Sequence, residues 1–435
     1  MIPATGQGTG AASGLPPAVA ALDDLLRSAA PVLALAPMQD ITDLPFLRLM
    51  ARYGGADLYF TEYFRVHGSA TPDRHILRSL TENPTGRPVI AQLIGNDIPA
   101  LVKMARALER HGAAGIDLNL GCPAPVVYRK CAGGGLLRFP DKVDAIVGAL
   151  RGAVTTRFTV KTRIGFDDPA GFDRILGILA RHRPDLVTVH GRTVLEMYRP
   201  PVHRDCIARA AAALPCPVLA NGGVDSPAGA LAMLRETGAR GVMIGRGAIR
   251  NPWLFSQVRA ALRGETPAQP RGRDVLAYLH DLYGSLQSGQ FRETAYVQKL
   301  KKHLGFIGAG VSAAFLHEIR RVTTPAEFFA VCRAHLEHHE PLTVSPKARR
   351  RQAPLLGHRR PPRFLGGNSS GLPVVTWRRR PVAEGAREAG PRPSAPVAAA
   401  VRPRHHSRAG DAAAGWGCGG VRPAGAGGSE TVSAV

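Results

Sequence analysis

The chain has 435 residues, 45 % of them hydrophobic, which is enough for more than one globular core. Lys and Arg number 56 against 33 Asp and Glu, a formal charge of +23 that points to polyanions such as nucleic acid, anionic membrane or phosphorylated ligands rather than acidic partners. No apolar run approaches the ~20 residues of a membrane span, no secretion leader is recognisable, and six Cys without CxxC spacing exclude a disulfide scaffold or zinc ribbon, so a cytoplasmic protein is expected.

Residues 1–30 are rich in Ala, Gly and Pro and read as a flexible lead-in. Eight β-rich, nearly continuous apolar runs follow: Val32–Met38, Leu58–Phe64, Pro88–Gly95, Gly115–Cys122, Phe158–Gly165, Leu186–Thr193, Pro217–Val224 and Gly241–Ala248. Such runs suit parallel strands buried on both faces. Helical patterns fill the gaps, as in Ile98–His111, Pro140–Arg151 and Pro227–Thr237, each with Pro near its start. Eight β-then-α units predict a (β/α)8 TIM barrel over residues 31–255, close to the ~250 residues usual for that fold. An open doubly wound sheet is the alternative, disfavoured because no GxGxxG follows the first run.

After Trp253 the strands stop. Asp274–Gln287, Glu293–Gly305, Ser312–Arg321 and Pro325–His338 read as helices, so a small all-helical domain is expected over residues 256–340. The composition then changes abruptly. Residues 341–435 carry 16 Lys or Arg against 4 Asp or Glu, with 12 Pro and 14 Gly. That segment reads as a disordered basic tail. It is either a nonspecific nucleic-acid binder or an out-of-frame translation of GC-rich sequence.

In a barrel of this kind the active site forms at the C-terminal ends of the strands. Polar residues gather at those ends in the sequence: Glu62, Gln92, Asn119, Lys161 with Arg163, His190 with Arg192, and Asn221. Asn221-Gly222-Gly223 and Gly245-Arg246-Gly247 close the last two runs. They are either tight turns or a cradle that lets backbone approach a phosphate, with Arg246 adding charge. Lys161 can hold negative charge on a ligand ring, His190 can donate to a ring or phosphate, and Gln92 offers a donor and an acceptor. Cys122 follows the fourth run inside a Gly121–Pro123 frame and opens a loop to Gly133-Gly134-Gly135, which marks it as a functional thiol. No Cys and His pair has ligand spacing at this rim, so no metal is expected.

Together, Leu35-Ala36-Pro37-Met38, Asn119-Leu120-Gly121-Cys122-Pro123, Lys161-Thr162-Arg163, His190-Gly191-Arg192-Thr193, Asn221-Gly222-Gly223 and Gly245-Arg246-Gly247 resemble the tRNA-dihydrouridine synthases. The resemblance covers about residues 32–340. It implies an FMN enzyme that reduces a uracil base in tRNA, with NADPH as electron donor. It implies that Pro37 and Met38 line the flavin, that Gln92 and Lys161 contact its ring system, and that His190 lies beside it. Asn221, Gly223, Gly245 and Arg246 would hold its phosphate. Cys122 would be the proton donor, Asn119 would orient the uracil, and Arg192 would face the RNA side of the pocket. Lys299 and Lys302 of the helical domain are read either as holding RNA phosphates or as part of a solvated helix face. Some members carry Lys shortly after the Gly-Cys-Pro, where this chain has Pro125 and Val126, with Arg129 and Lys130 close by. A monomer is expected. Two readings of other classes are a dihydroorotate dehydrogenase-like FMN enzyme acting on a small pyrimidine, and a noncatalytic RNA-binding protein.

Overall fold

The computed structural model describes residues 15–287, 293–307 and 311–342. The tail read as disordered lies outside the described residues from 343 onward, as do residues 1–14 of the lead-in.

Helix α1 (Pro17–Arg27) precedes strand β1 (Val32–Leu35) and helix α2 (Leu44–Arg52). Two short strands, β2 (Tyr59–Phe60) and β3 (Phe64–Arg65), occupy the second barrel position, followed by α3 (Arg74–Thr81). The next units are β4 (Val89–Ile94) with α4 (Ile98–Arg110), then β5 (Gly115–Leu120) with α5 (Pro125–Tyr128), a 3-10 turn (Gly133–Arg138) and α6 (Pro140–Ala153). They continue as β6 (Arg157–Arg163), α7 (Phe172–His182), β7 (Leu186–His190), α8 (Arg204–Ala213), β8 (Val218–Asn221), α9 (Pro227–Thr237) and β9 (Gly241–Ile244). Helices α10 (Arg246–Arg250), α11 (Leu254–Leu262), α12 (Gly272–Leu286), α13 (Glu293–Ile307), α14 (Ala313–Ile319) and α15 (Pro325–Leu336) complete the chain.

All strand pairs are parallel, in the order β1-β9-β8-β7-β6-β5-β4-β2, with β3 also on β4. A bridge between Ala34 and Leu58 brings β2 back to β1, so the eight positions form the expected (β/α)8 barrel. The helices start where the sequence offers caps. Asp97 accepts the N–H of Ala100 ahead of α4, and Ser226 accepts that of Gly229 ahead of α9.

Alternation along each strand sends every second side chain inward. Near the bottom these are Val32, Leu58, Ile90, Leu186 and Leu219, which form one buried apolar cluster. Near the top they are Asn119, Lys161, His190 and Asn221. The intervening positions, including Leu33, Ile116, Val160 and Val187, belong to a second cluster under the surrounding helices.

Part of the flexible lead-in is instead structured. Residues 17–27 form α1, and its Leu22 joins the apolar cluster at the bottom of the barrel. Two charged anchors keep α1 in place. Arg157 Nε donates to Asp23 at 2.6 Å, and Arg240 donates to carbonyls of Leu25 and Leu26 at 3.2 Å each. The Arg157 guanidinium holds the Asp23 carboxyl below the usual carboxylate range. The Ala/Gly/Pro composition hid this helix, because an eleven-residue segment with only two buried apolar side chains owes its order to its docking site.

The C-terminal helices share their own core, and Leu49 of α2 belongs to it. Tyr53 OH donates to Asp281 at 2.6 Å, and Arg52 pairs with the same carboxylate at 3.0 Å. Helix α2 is therefore the seat on which the helical unit rests.

Leu22→Ala should destabilise the protein by about 2–5 kcal/mol, the usual cost of emptying a filled apolar site. Urea unfolding measures this, and a change below about 1 kcal/mol would mean that α1 does not seal the barrel.

Candidate functional site

The strand register brings residues from distant parts of the chain to one rim. Gln92 lies opposite Asp117, Asn119 opposite Lys161, Arg163 opposite His190, and His190 opposite Asn221. A Cβ on Gly245 would stand 3.4 Å from Met38 Sδ, so the β1 loop and the β9 turn meet at the same rim. Pro37 precedes Met38 in that loop.

Cys122 sits in a turn held at both of its backbone groups. Asn119 Oδ1 accepts the N–H groups of Gly121 and Cys122 at 2.9 Å each, and the Cys122 carbonyl accepts the N–H of Gly134 at 3.2 Å. The three glycines noted in the sequence are required by contact. A Cβ on Gly133 would stand 3.0 Å from Cys122 Cβ, on Gly134 2.9 Å from the Cys122 oxygen, and on Gly135 2.3 Å from the Tyr128 oxygen. Burial pushes the Cys122 thiol up, and the cations Arg163, Lys161 and Arg65 do not overcome it. The thiol is thus kept protonated, the state a proton donor needs.

Cations crowd the part of the rim next to it. Lys161 Nζ donates to Asn221 Oδ1 at 3.1 Å. Burial, with Arg163 adding repulsion, lowers its pKa to about 8. Burial and four cations, Arg163, Lys161, Arg192 and Arg246, hold His190 well below its usual range, so the imidazole is neutral. His190 Nδ1 and Arg192 Nη1 are buried and make no hydrogen bond. Gly222 leaves space beside them. Its φ is 122°, and a Cβ there would stand 3.5 Å from Arg192 Nη1 and from His190 Cε1. Gly223 also has positive φ, at 71°. Arg246 lies 4.2 Å over the Tyr198 ring. Unpaired donors, excess positive charge and glycine turns suit a ligand that carries a phosphate and a hydrogen-bonding ring, so these residues fit FMN.

Arg163 and Glu62, both picked out at strand ends in the sequence, take tying roles, and Tyr198 is a contributor the sequence did not mark. Arg163 ties two loops together: Nε donates to Gly121 O at 2.8 Å, and Nη1 donates to Thr193 O at 2.7 Å and Met197 O at 2.8 Å. Tyr198 is exposed at the mouth and receives both Arg163 and Arg246 over its ring. Only its place after the β7 run could have marked it. Glu62 accepts the N–H of Ile41 at 3.0 Å and pins the loop after β1, and burial pushes its pKa up to about 7. Among the described residues no group of three or more His, Cys, Asp or Glu could hold a metal.

The helical unit meets the barrel through one of the lysines noted in the sequence. Lys299 reaches Asp43 at 3.4 Å and so joins α13 to the N-terminus of α2. The side chain of Lys302 lies outside the described residues. Arg192 is 5 % exposed and donates through Nε to Arg199 O, so its side chain is turned into the pocket.

The model of the family described as dihydrouridine synthase (Dus) matches residues 34–340. A protein of Rhodobacter capsulatus named probable tRNA-dihydrouridine synthase is 34 % identical over 320 residues, covering 73 % of this chain and 98 % of its own. The tRNA-dihydrouridine synthase B of Xanthomonas axonopodis is 36 % identical over 321 residues, covering 71 % and 94 %. The tRNA-dihydrouridine(16) synthase of Cupriavidus necator is 36 % identical over 267 residues, covering 59 % and 83 %.

Two outcomes follow from this geometry. Gly134→Ala should lower stability by about 1–3 kcal/mol, because its Cβ meets backbone that cannot yield; an unchanged urea midpoint would contradict the tight turn. The affinity for FMN, read from quenching of its fluorescence, should fall as pH rises past about 8, where Lys161 loses its charge in the ligand-free protein. Lys161→Met should bind more weakly and lack this step; a wild-type pH profile in that variant would assign the step to another group.

Proposed function

The chain belongs to the dihydrouridine synthase family, and from that membership and the rim's chemistry we propose that it reduces uridines of tRNA to 5,6-dihydrouridine with FMN, using NADPH as reductant. The observation that carries this reading is Cys122, fixed at both backbone groups on the same rim as Lys161, buried Arg163 and the unpaired His190 Nδ1 and Arg192 Nη1.

Lys161, Gln92 and His190 would hold the flavin ring system, with Pro37 and Met38 against it. Asn221, Gly223, Gly245 and Arg246 would hold its phosphate, and Arg192 Nη1 adds a donor there. FMN held there and reduced by NADPH would supply the hydride for C6 of the uracil. Cys122 delivers its proton to C5, and burial suits it to that role by keeping the thiol neutral until a base arrives. Asn119 has its carbonyl committed to the Cys122 turn and one N–H committed to Gln92 Oε1 at 2.8 Å, which leaves one N–H to orient the base. A base inside a stacked helix cannot reach this rim, so the target nucleotide must be turned out of its stack. Exposed Tyr198 and Val126 flank the mouth it would enter. The net positive charge favours the RNA backbone, and the helical unit on α2 extends the surface available to it. No helix among the described residues is long and apolar enough to cross a membrane. We assign the activity to the cytoplasm, where tRNA is.

Mapping dihydrouridine in tRNA from a deletion strain tests the activity directly. In the purified protein, Cys122→Ala should retain FMN and lose about 10²–10⁴-fold in dihydrouridine formation, the usual scale of a general acid. Turnover at the wild-type rate would assign the proton to solvent, and loss of FMN would assign Cys122 a binding role instead.

A further inference from the structure

Beneath Cys122 lies a carboxylate with no place in the reaction as described. Asp117 is completely buried in β5. Its Oδ1 accepts the Thr159 hydroxyl at 2.6 Å and its Oδ2 accepts Gln92 Nε2 at 2.7 Å. Gln92 Oε1 accepts Asn119 Nδ2 at 2.8 Å, and Asn119 Oδ1 accepts the N–H groups of Gly121 and Cys122. The chain of contacts runs unbroken from the barrel interior to the thiol-bearing turn.

We propose that Asp117 is a positioning residue for the Cys122 thiol and acts by setting the direction of this amide chain. A side-chain amide can sit either way round, and its neighbours decide which. Ionised carboxylate oxygen only accepts. It therefore turns the Gln92 NH2 toward itself, the Gln92 carbonyl toward Asn119, and the Asn119 carbonyl toward the two backbone N–H groups. An amide at position 117 whose oxygen still accepts the Thr159 hydroxyl would present a donor to Gln92. Both amides would then turn over, and Asn119 would set an NH2 group against two backbone donors. Burial of a carboxylate is costly, and Thr159 alone would be served by a neutral residue. Only the carboxylate can accept from Thr159 and from Gln92 at once, through separate oxygens, and so fix the order. Burial raises the Asp117 pKa to about 6, with Lys161 the charged group facing it from β6, so the accepting form is present at neutral pH.

The kinetic part of the test rests on the function proposed above; the chemical part does not. The full chain is compared with Asp117→Asn and with Asp117→Asn/Gln92→Glu. The double variant restores the one-way order, because the amide introduced at position 117 donates to the carboxylate introduced at position 92, which in turn accepts from Asn119. Alkylation of Cys122 by iodoacetamide, read by peptide mass spectrometry, uses Cys206, Cys216 and Cys332 as references. Asp117→Asn should alkylate about fivefold faster at Cys122 alone, because the turn is released. The double variant should return toward the wild-type rate. In anaerobic single turnover, the flavin of Asp117→Asn, once reduced, should be reoxidised by tRNA about tenfold or more slowly.

Unchanged alkylation in Asp117→Asn, a double variant no closer to wild type, or normal reoxidation by tRNA would each overturn the proposal. If Asp117→Asn does not fold, the double variant must fold and alkylate as wild type does; a double variant equally unfolded overturns it as well. A wild-type protein that leaves tRNA unreduced would defeat the proposed function, while the alkylation comparison would still decide the role of Asp117.

Discussion

The interior of the barrel is apolar at one end and hydrogen-bonded at the other, and the position of that boundary governs the rest of the molecule. A closed ring of eight strand positions has a single interior to fill, and every inward side chain must find either apolar contact or a hydrogen-bond partner. Below, Leu58, Ile90, Leu186 and Leu219 pack together, and Leu22 of α1 closes the end. Above, Asp117, Gln92, Thr159 and Asn119 satisfy one another before any ligand enters. The site can hold so many polar groups because the layer beneath is closed by apolar contact and asks for no hydrogen bonds of its own.

The upper rim is electrostatically unbalanced. Lys161, Arg163, Arg192 and Arg246 all have pKa values lowered chiefly by burial. Partial relief comes from carbonyl oxygens, such as those of Thr193 and Met197 around Arg163. The unpaired nitrogens of His190 and Arg192 mark where that relief stops. An anionic ligand gains more from such a rim than from a neutral one, because the charges it meets are already desolvated.

Loop order at the mouth comes from close approach rather than from secondary structure. The Gly133–Gly135 backbone lies against Cys122 and Tyr128 at distances that exclude a Cβ. Arg163 then links the Cys122 turn to the β7 loop that carries Tyr198. The residue suited to give a proton and the residue at the entrance are therefore coupled through one guanidinium. The helical unit meets the same region from outside, through Lys299 on Asp43.

The barrel class, the eight strand positions and the residues at the strand ends were legible in the sequence, because apolar runs and cap residues are local signals. The place of Cys122 in a turn just after a strand was legible for the same reason, in its Gly and Pro frame. Asp117 and Asn119, two apart on one strand, visibly share a face, yet nothing local says that Gln92 and Thr159 stand opposite them. That pairing depends on the register between strands from separate units, which exists only once the barrel has closed. Tertiary structure likewise decided the order of α1, the turning of Arg192 into the pocket and the pairing of Lys299. Each depends on a partner far away in the chain or across a loop: Leu22 on the open end of the barrel, Arg192 on Arg199, and Lys299 on an α2 cap 256 residues earlier. Sequence determines the chemistry a residue can perform; the partner that occupies it or leaves it free is set by the closed fold.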